Sequence, residues 1–384
     1  MKLFHENLIL CYSSGTWKPP FSMGVLRVLL AIEVIVCHVG RLGFIRLADF
    51  KTAVETFFMI SGFYMSLILD SKYTGKKSYS LFITNRFLRI FPLYWAVLVI
   101  SIFGCAVSGL STGDWLMLTP FVKWHPQPAV ILFASVSNLV IFGQDASLFF
   151  ALDPKTGALF FTPGFFNAAH PFWPFVAVPQ AWSLAVELLF YMAAPFILRK
   201  NWRVVLGLLL ASFLLRVGLV YGLHLPSDPW TYRLFPTEIM FFLAGNISYR
   251  LYTALRGKAF YEKCTGFVTV LFFCVFLYLP YPAMREELRA AAYFFLTTIC
   301  LPFVFSFSKN SKIDNKIAEY SYPIYLVHWA VSHFLSQILG SQASALQVLF
   351  MSALVSWALL LKIGEPLEEW RQARWRKAKL QASA

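Results

Sequence analysis

Residues 203–222 read RVVLGLLLASFLLRVGLVYG, twenty positions in which the charges are Arg203 at the start and Arg216 inside. A helix rises about 1.5 Å per residue, so this run reaches about 30 Å, the thickness of a bilayer's hydrocarbon core. No water is available there to satisfy backbone N–H and C=O groups, which makes the run a helix rather than a strand. Working outward, nine further apolar runs occur at residues 24–40, 53–69, 91–108, 180–198, 236–250, 265–281, 290–307, 321–339 and 345–362. The pattern predicts an all-α polytopic membrane protein of about ten transmembrane helices. Composition agrees: of 384 residues, 58% are hydrophobic and 14% charged, against about 25% charged in soluble domains. No polar stretch is long enough for a separate soluble unit, so 1–384 reads as one membrane domain. Its helical core spans about 24–363, with a short N-terminal segment and a basic C-terminal tail.

An eleventh apolar run, Ala129–Phe142, has only about 14 residues, a length typical of a re-entrant or interfacial piece. Charge decides its status. If it does not cross, both termini are cytoplasmic and the cytoplasmic segments hold 24 of the 33 Lys and Arg residues, with eight on the opposite face and Arg216 within a span. One extra crossing would invert every later loop, against the positive-inside rule. The same clustering of cations between apolar runs explains the net charge of +14 as attraction to anionic lipid and argues against nucleic acid as a partner. The six cysteines (Cys11, Cys37, Cys105, Cys264, Cys274, Cys300) show no C-x-x-C spacing, so neither a disulfide framework nor a metal site is implied. The run Leu8–Cys11 is too short for a signal-peptide core, and the first span is expected to insert uncleaved. The long stretch 143–179 includes FFTPGFFNAAHPFWPFVAVP (160–179) and has two open readings: an aromatic belt at the interface, or a platform on which sugar rings stack.

Ionisable side chains within spans are costly and usually face a cavity or a partner. Arg27, Ala31, Val34 and His38 follow i, i+4, i+7, i+11 spacing and share one helical face. That stripe joins a cation at the inner surface to an imidazole about 16 Å further along the axis. An imidazole there is a candidate base or nucleophile, or a packed, hydrogen-bonded residue. Glu55, near the outer end of the second span, reads as an interfacial carboxylate or as an orienting partner for His38. Ser61 and Gly62 read as small residues that let helices approach, with Ser61 also a binding candidate. Arg86 and Arg89, three apart, form either an anchor or a clamp on phosphate groups at the inner surface. Glu187 is placed two turns into its span on the His38 side, lining a polar cavity, and Tyr325 and His328 are candidates for the same cavity. Glu33 and Cys37 point away from His38 by about 140° and 100° and are left out.

Five segments in this order resemble the acyltransferase family 3 of integral membrane proteins: LRVLLAIEVIVCH (26–38), ETFFMISGF (55–63), RFLRIFPLYW (86–95), WSLAVELLFY (182–191) with Pro195 following, and YPIYLVHW (322–329). The resemblance implies about ten helices and transfer of an acyl group, most often acetyl from acetyl-CoA, to a hydroxyl of an extracytoplasmic glycan or glycolipid. Lipopolysaccharide, capsule and exopolysaccharide are the acceptor types it leaves open, at the bacterial cytoplasmic (inner) membrane. It makes His38 the catalytic histidine and Arg27 its paired basic residue, places Arg86 and Arg89 in the donor-binding region, and gives Glu187 a part. Glu55 departs from the aspartate more often found at its position. Because the chain ends about 20 residues past the last span, the stand-alone form is expected, without the hydrolase-like domain that some members carry. A transporter or flippase of a lipid-linked glycan is the rival from another class, disfavoured because no paired repeats are visible. A scaffold binding anionic lipid through its basic loops is another.

Overall fold

A computed structural model describes residues 22–40, 49–74, 78–278 and 286–383. The segment containing Cys11 and its apolar run, and the cations Arg41, Arg46, Lys76, Lys77 and Arg285 of the charge count, lie outside the described residues. A long helix stands on each of the ten predicted runs. The first three are α1 (Gly24–Val39), α2 (Phe50–Ser71) and α3 (Ser78–Thr112). The short α4 (Thr119–Lys123) and α5 (Pro128–Val140) follow. Then come α6 (Trp182–Ile197), α7 (Trp202–Val217), α8 (Phe235–Leu255), α9 (Ala259–Tyr278), α10 (Glu286–Ser308), α11 (Lys312–Leu339) and α12 (Ala345–Leu359). A last helix, α13 (Glu365–Ser383), continues from α12 through a π-type turn. Two helices start well before their apolar runs: α3 at Ser78 rather than residue 91, and α11 at Lys312 rather than residue 321. Their polar first turns need no lipid, only the continued backbone ladder.

Among the described residues, seven helical stretches are long and apolar enough to cross a membrane by length and composition. The protein is thus an all-α polytopic membrane protein. The predicted spans outside these seven lie on α1, α8 and α11. At 16 residues α1 is short, while α8 and α11 carry polar side chains turned into the bundle, among them Glu238, Asn246 and His328. The hub is α2. Of its most apolar stretch 89% is buried, against 17% for that of α7 and its following turn, which therefore lies at the periphery.

Hub contact depends on glycine. A Cβ on Gly62 of α2 would lie 1.9 Å from the Phe242 carbonyl oxygen, and one on Gly245 of α8 would lie 2.0 Å from the Met59 carbonyl oxygen. The two backbones touch reciprocally, the close approach that small residues permit inside membranes. Around this crossing Asn246 donates to Ser66 Oγ at 2.7 Å, a polar tie where lipid offers no competing partner.

Helix α5 has 13 residues, about 20 Å of rise, too short for the hydrocarbon core. Its last turn lies against the middle of α3, where Trp95 Nε1 donates to the Leu139 carbonyl at 2.8 Å and Tyr94 donates to that of Asn138 at 2.5 Å. The chain then turns through Ile141 and Gly143, both at positive φ, and runs back so that Phe150 packs on Phe133. The chain thus reverses direction beside α3. Its buried amides tie the turn together: Asn138 donates to Phe175 O and accepts from Ala177 N, and Gln144 donates to Tyr94 Oη and to Ser137 O. The returning stretch forms a three-stranded antiparallel sheet in the order β2-β1-β3, with β1 (Phe150–Leu152), β2 (Leu159–Phe161) and β3 (His170–Pro171), a small departure from an all-helical chain. Its aromatics mostly pack on one another, with Phe172 and Phe175 fully buried and Trp124 stacked on His170 at 4.6 Å.

Substituting Gly245→Val is expected to force α2 and α8 apart at a cost of about 1–3 kcal/mol. Thermal unfolding in detergent should show a lowered Tm, and an unchanged Tm would deny the close crossing.

Candidate active site

The placement of α1 begins with its unsatisfied N-terminal N–H groups. They are capped from another helix: Asp314 of α11 accepts from Gly24 N at 2.7 Å, from Val25 N at 2.9 Å and from Ser22 Oγ at 2.5 Å. A carboxylate at a helix N-terminus also meets the positive end of the macrodipole. Gly24 is required there, since a Cβ would lie 2.0 Å from the Asp314 carbonyl oxygen. One turn on, Arg27 enters a cavity of about 110 Å³ enclosed by α1, α2, α3, α6 and α11.

Arg27, Arg86, Arg89, Ser61, Glu187 and Tyr325 all line this cavity, bringing together six of the nine predicted site residues. Glu187 Oε1 accepts from Ser61 Oγ at 2.7 Å and from the Tyr191 hydroxyl at 2.5 Å. Arg86 is 3% exposed, and its Nε has no hydrogen-bond partner. Three guanidiniums therefore face a cavity with one carboxylate in its wall, an arrangement suited to an anionic ligand. Glu187 stands with the arginines and not on the His38 side, as its distance along the sequence predicted. The reason is that α6 starts deep: Gln180 donates to the Leu326 carbonyl and Ser183 bonds Tyr325 Oη at 2.7 Å, so the helix begins at the mid-depth of α11.

The remaining predicted residues lie beyond Tyr325. The Tyr325 ring is 5.8 Å from that of His328, which is 5.5 Å from that of His38. Trp329 and Phe50 complete the surroundings of His38 at 5.3 and 5.8 Å. His38 is exposed at this end, whereas His328 is fully buried. The Val34 carbonyl accepts from His38 Nδ1 at 2.7 Å. A carbonyl only accepts, so Nδ1 carries the proton and Nε2 of a neutral ring keeps its lone pair. His328 is held in the same way by the Tyr325 carbonyl at 2.6 Å, leaving its buried Nε2 without a partner. Neither histidine lines the arginine cavity, which stops at Tyr325.

Glu55 does not orient His38. It is ion-paired to Arg216 of α7 at 2.8 Å, and Arg216 also holds Glu238 of α8 at 3.2 Å. A buried arginine inside α7 needs carboxylate partners more than a neutral imidazole does, and the backbone carbonyl of Val34 already serves the ring. Sequence reasoning missed Asp314, Tyr191, Ser183 and the pairing of Arg216 with Glu238. The presence of Arg216 within an apolar span was the available signal; its partners, 161 and 22 residues away, carried none.

A family model described as an acyltransferase domain, of the acyltransferase 3 type, matches residues 21–361. The chain belongs to this family. The acyltransferase is also similar to the exopolysaccharide production protein ExoZ of Rhizobium meliloti (strain 1021), with 30% identity over 162 residues. That match takes in 41% of this chain and 38% of ExoZ, well under half the length of the relative. No solved structure matches the acyltransferase. Its membership accounts for a cavity with charged side chains in its wall inside a membrane bundle, since acyl transfer needs a donor and an acceptor held away from bulk water.

Arg216→Met is expected to leave Glu55 and Glu238 buried without a cation and to lower stability by about 3–5 kcal/mol. Adding Glu55→Gln and Glu238→Gln should recover most of the loss in thermal unfolding, and an unimproved triple variant would contradict the ion triad.

Proposed function

We propose that this acyltransferase moves an acetyl group from acetyl-CoA, bound at the arginine end on the cytoplasmic side, to a hydroxyl of a cell-surface glycan or glycolipid that meets His38 at the opposite end. The reading sets the protein in a bacterial cytoplasmic (inner) membrane, with ten spans and both termini inside. The observation that carries it is the polar line from Arg86 and Arg89 through Ser61, Glu187, Ser183 and Tyr325 to the His328–His38 pair. It crosses the bundle with phosphate-binding chemistry at one end and a base at the other. The similarity to a protein named for exopolysaccharide production supports a glycan as acceptor.

In this mechanism the phosphates of the donor lie against Arg86 and Arg89, and Arg27 adds charge deeper in the cavity. The acyl arm extends toward Tyr325, whose ring moves aside to admit the thioester to the histidine pair. Nε2 of His38 takes the proton of the acceptor hydroxyl as its oxygen attacks the thioester carbonyl. The C–S bond breaks, the new C–O ester bond forms, and the leaving thiolate takes the proton from Nε2. His328 lends a second imidazole edge beside the reacting groups, and Glu187 holds the inward guanidiniums in place. Glu55 is left with a structural task, balancing Arg216.

The test is transfer of labelled acetyl from acetyl-CoA to a panel of surface glycans by the purified protein in liposomes. Wild type should yield a base-labile labelled ester. His38→Ala is expected to lower the rate by about 100- to 10,000-fold while donor binding persists. Arg89→Gln should chiefly raise the donor KM. A transporter or lipid-binding scaffold would yield no ester, and full activity in His38→Ala would remove the base.

A further inference from the structure

The C-terminal helix folds back onto the bundle and adds Trp375 to its core. Helix α13 packs against α3, and Trp375 is 7% exposed, with its ring 4.6 Å below the Lys72 ammonium at the end of α2. This contact brings Arg371 into the neighbourhood of Arg86 and Arg89. Lys72, Arg86 and Arg371 are close enough to act on one another electrostatically, and Glu368 is within the same reach of all three and of Arg89. Glu368 pairs with Arg371 at 2.5 Å and also accepts from Gln372 at 3.1 Å. The Arg371 side chain is 11% exposed and its Nε is without a hydrogen-bond partner, as is that of the buried Arg86. Burial, with Arg86 and Arg371 beside it, pulls the Lys72 ammonium down to about 7. The buried Nε–H groups of Arg86 and Arg371, both without a partner, suit an anion among these cations, and phosphate oxygens fit both the forks and the ammonium.

We infer that α13 completes the donor site, with Arg371 and Lys72 forming a phosphate subsite for the nucleotide end of the donor beside Arg86. The subsite rests on the donor reading above and extends it to Lys72 and to Arg371, the latter outside the matched family region, which ends at residue 361. Arg86 belongs to both the cavity wall and this cluster, so a ligand whose acyl arm enters the cavity leaves its phosphates against α13.

The test uses the full-length protein in nanodiscs of neutral lipid, measuring both calorimetric binding of acetyl-CoA and transfer kinetics. Arg371→Gln and Lys72→Gln are each expected to raise Kd and KM for acetyl-CoA about tenfold or more, with kcat and Tm close to wild type. With acetyl-pantetheine, which lacks the nucleotide, the variants should match wild type. The subsite is overturned if Arg371→Gln binds acetyl-CoA as wild type does, or if it loses equally with acetyl-pantetheine, which marks a structural role. It is also overturned if the two variants differ from wild type only in discs of anionic lipid, which marks a headgroup site. If Arg89→Gln weakens binding and Arg371→Gln does not, the subsite alone falls; if wild type does not bind acetyl-CoA, the donor reading falls with it.

Discussion

The contact on which the site depends is the Asp314 carboxylate at the N-terminus of α1. A 16-residue helix has little length to spare in a bilayer, and its depth must be set by something other than hydrophobic match. Asp314 sets it by accepting two backbone N–H bonds and a hydroxyl bond across the gap between α11 and α1. With the start of α1 pinned, Arg27 falls at the arginine cavity and His38 emerges at the other end beside His328. The two helices that supply the histidines are thus tied to each other at the end remote from them.

Several buried polar groups elsewhere in the bundle are placed where another element can answer them. Arg216 is answered by Glu55 and Glu238 from α2 and α8, which locks the peripheral α7 to the hub. Asn138 and Gln144 answer the backbone of the turn after α5. The arginine cavity gathers three guanidiniums and one carboxylate, with a buried Arg86 Nε that has no hydrogen-bond partner. A folded protein bears such an imbalance where a ligand supplies the missing charge, and an acyltransferase has reason to do so at its donor site.

Much of the fold was legible because lipid imposes a strong and local code. Runs of twenty apolar residues, the helix period that puts Arg27 and His38 on one face, and the short length of Ala129–Phe142 all act within a few turns. Glu187 and Glu55 depart from expectation for different reasons. Placing Glu187 on the His38 side counts residues from the expected membrane surface, and that count assumes every helix starts at the surface. Helix α6 does not: it starts at the depth of Leu326, so two turns carry Glu187 to the arginines. Glu55 was drawn instead to an arginine on a helix far along the chain.

By itself the sequence determined the class of fold, where the apolar helices lie along the chain, the family, and the placing of Arg27 and His38 on one stripe, because each of these depends on local hydrophobicity and helical period. Only the tertiary structure decided which carboxylate answers which cation, that the aromatic stretch after Gly143 folds on itself beside the chain reversal that follows α5, and that the basic tail returns to Arg86. Those outcomes depend on electrostatic and packing partners tens to hundreds of residues apart, whose choice is made by the energy of burying charge in a common low-dielectric interior and leaves no periodic trace in the chain.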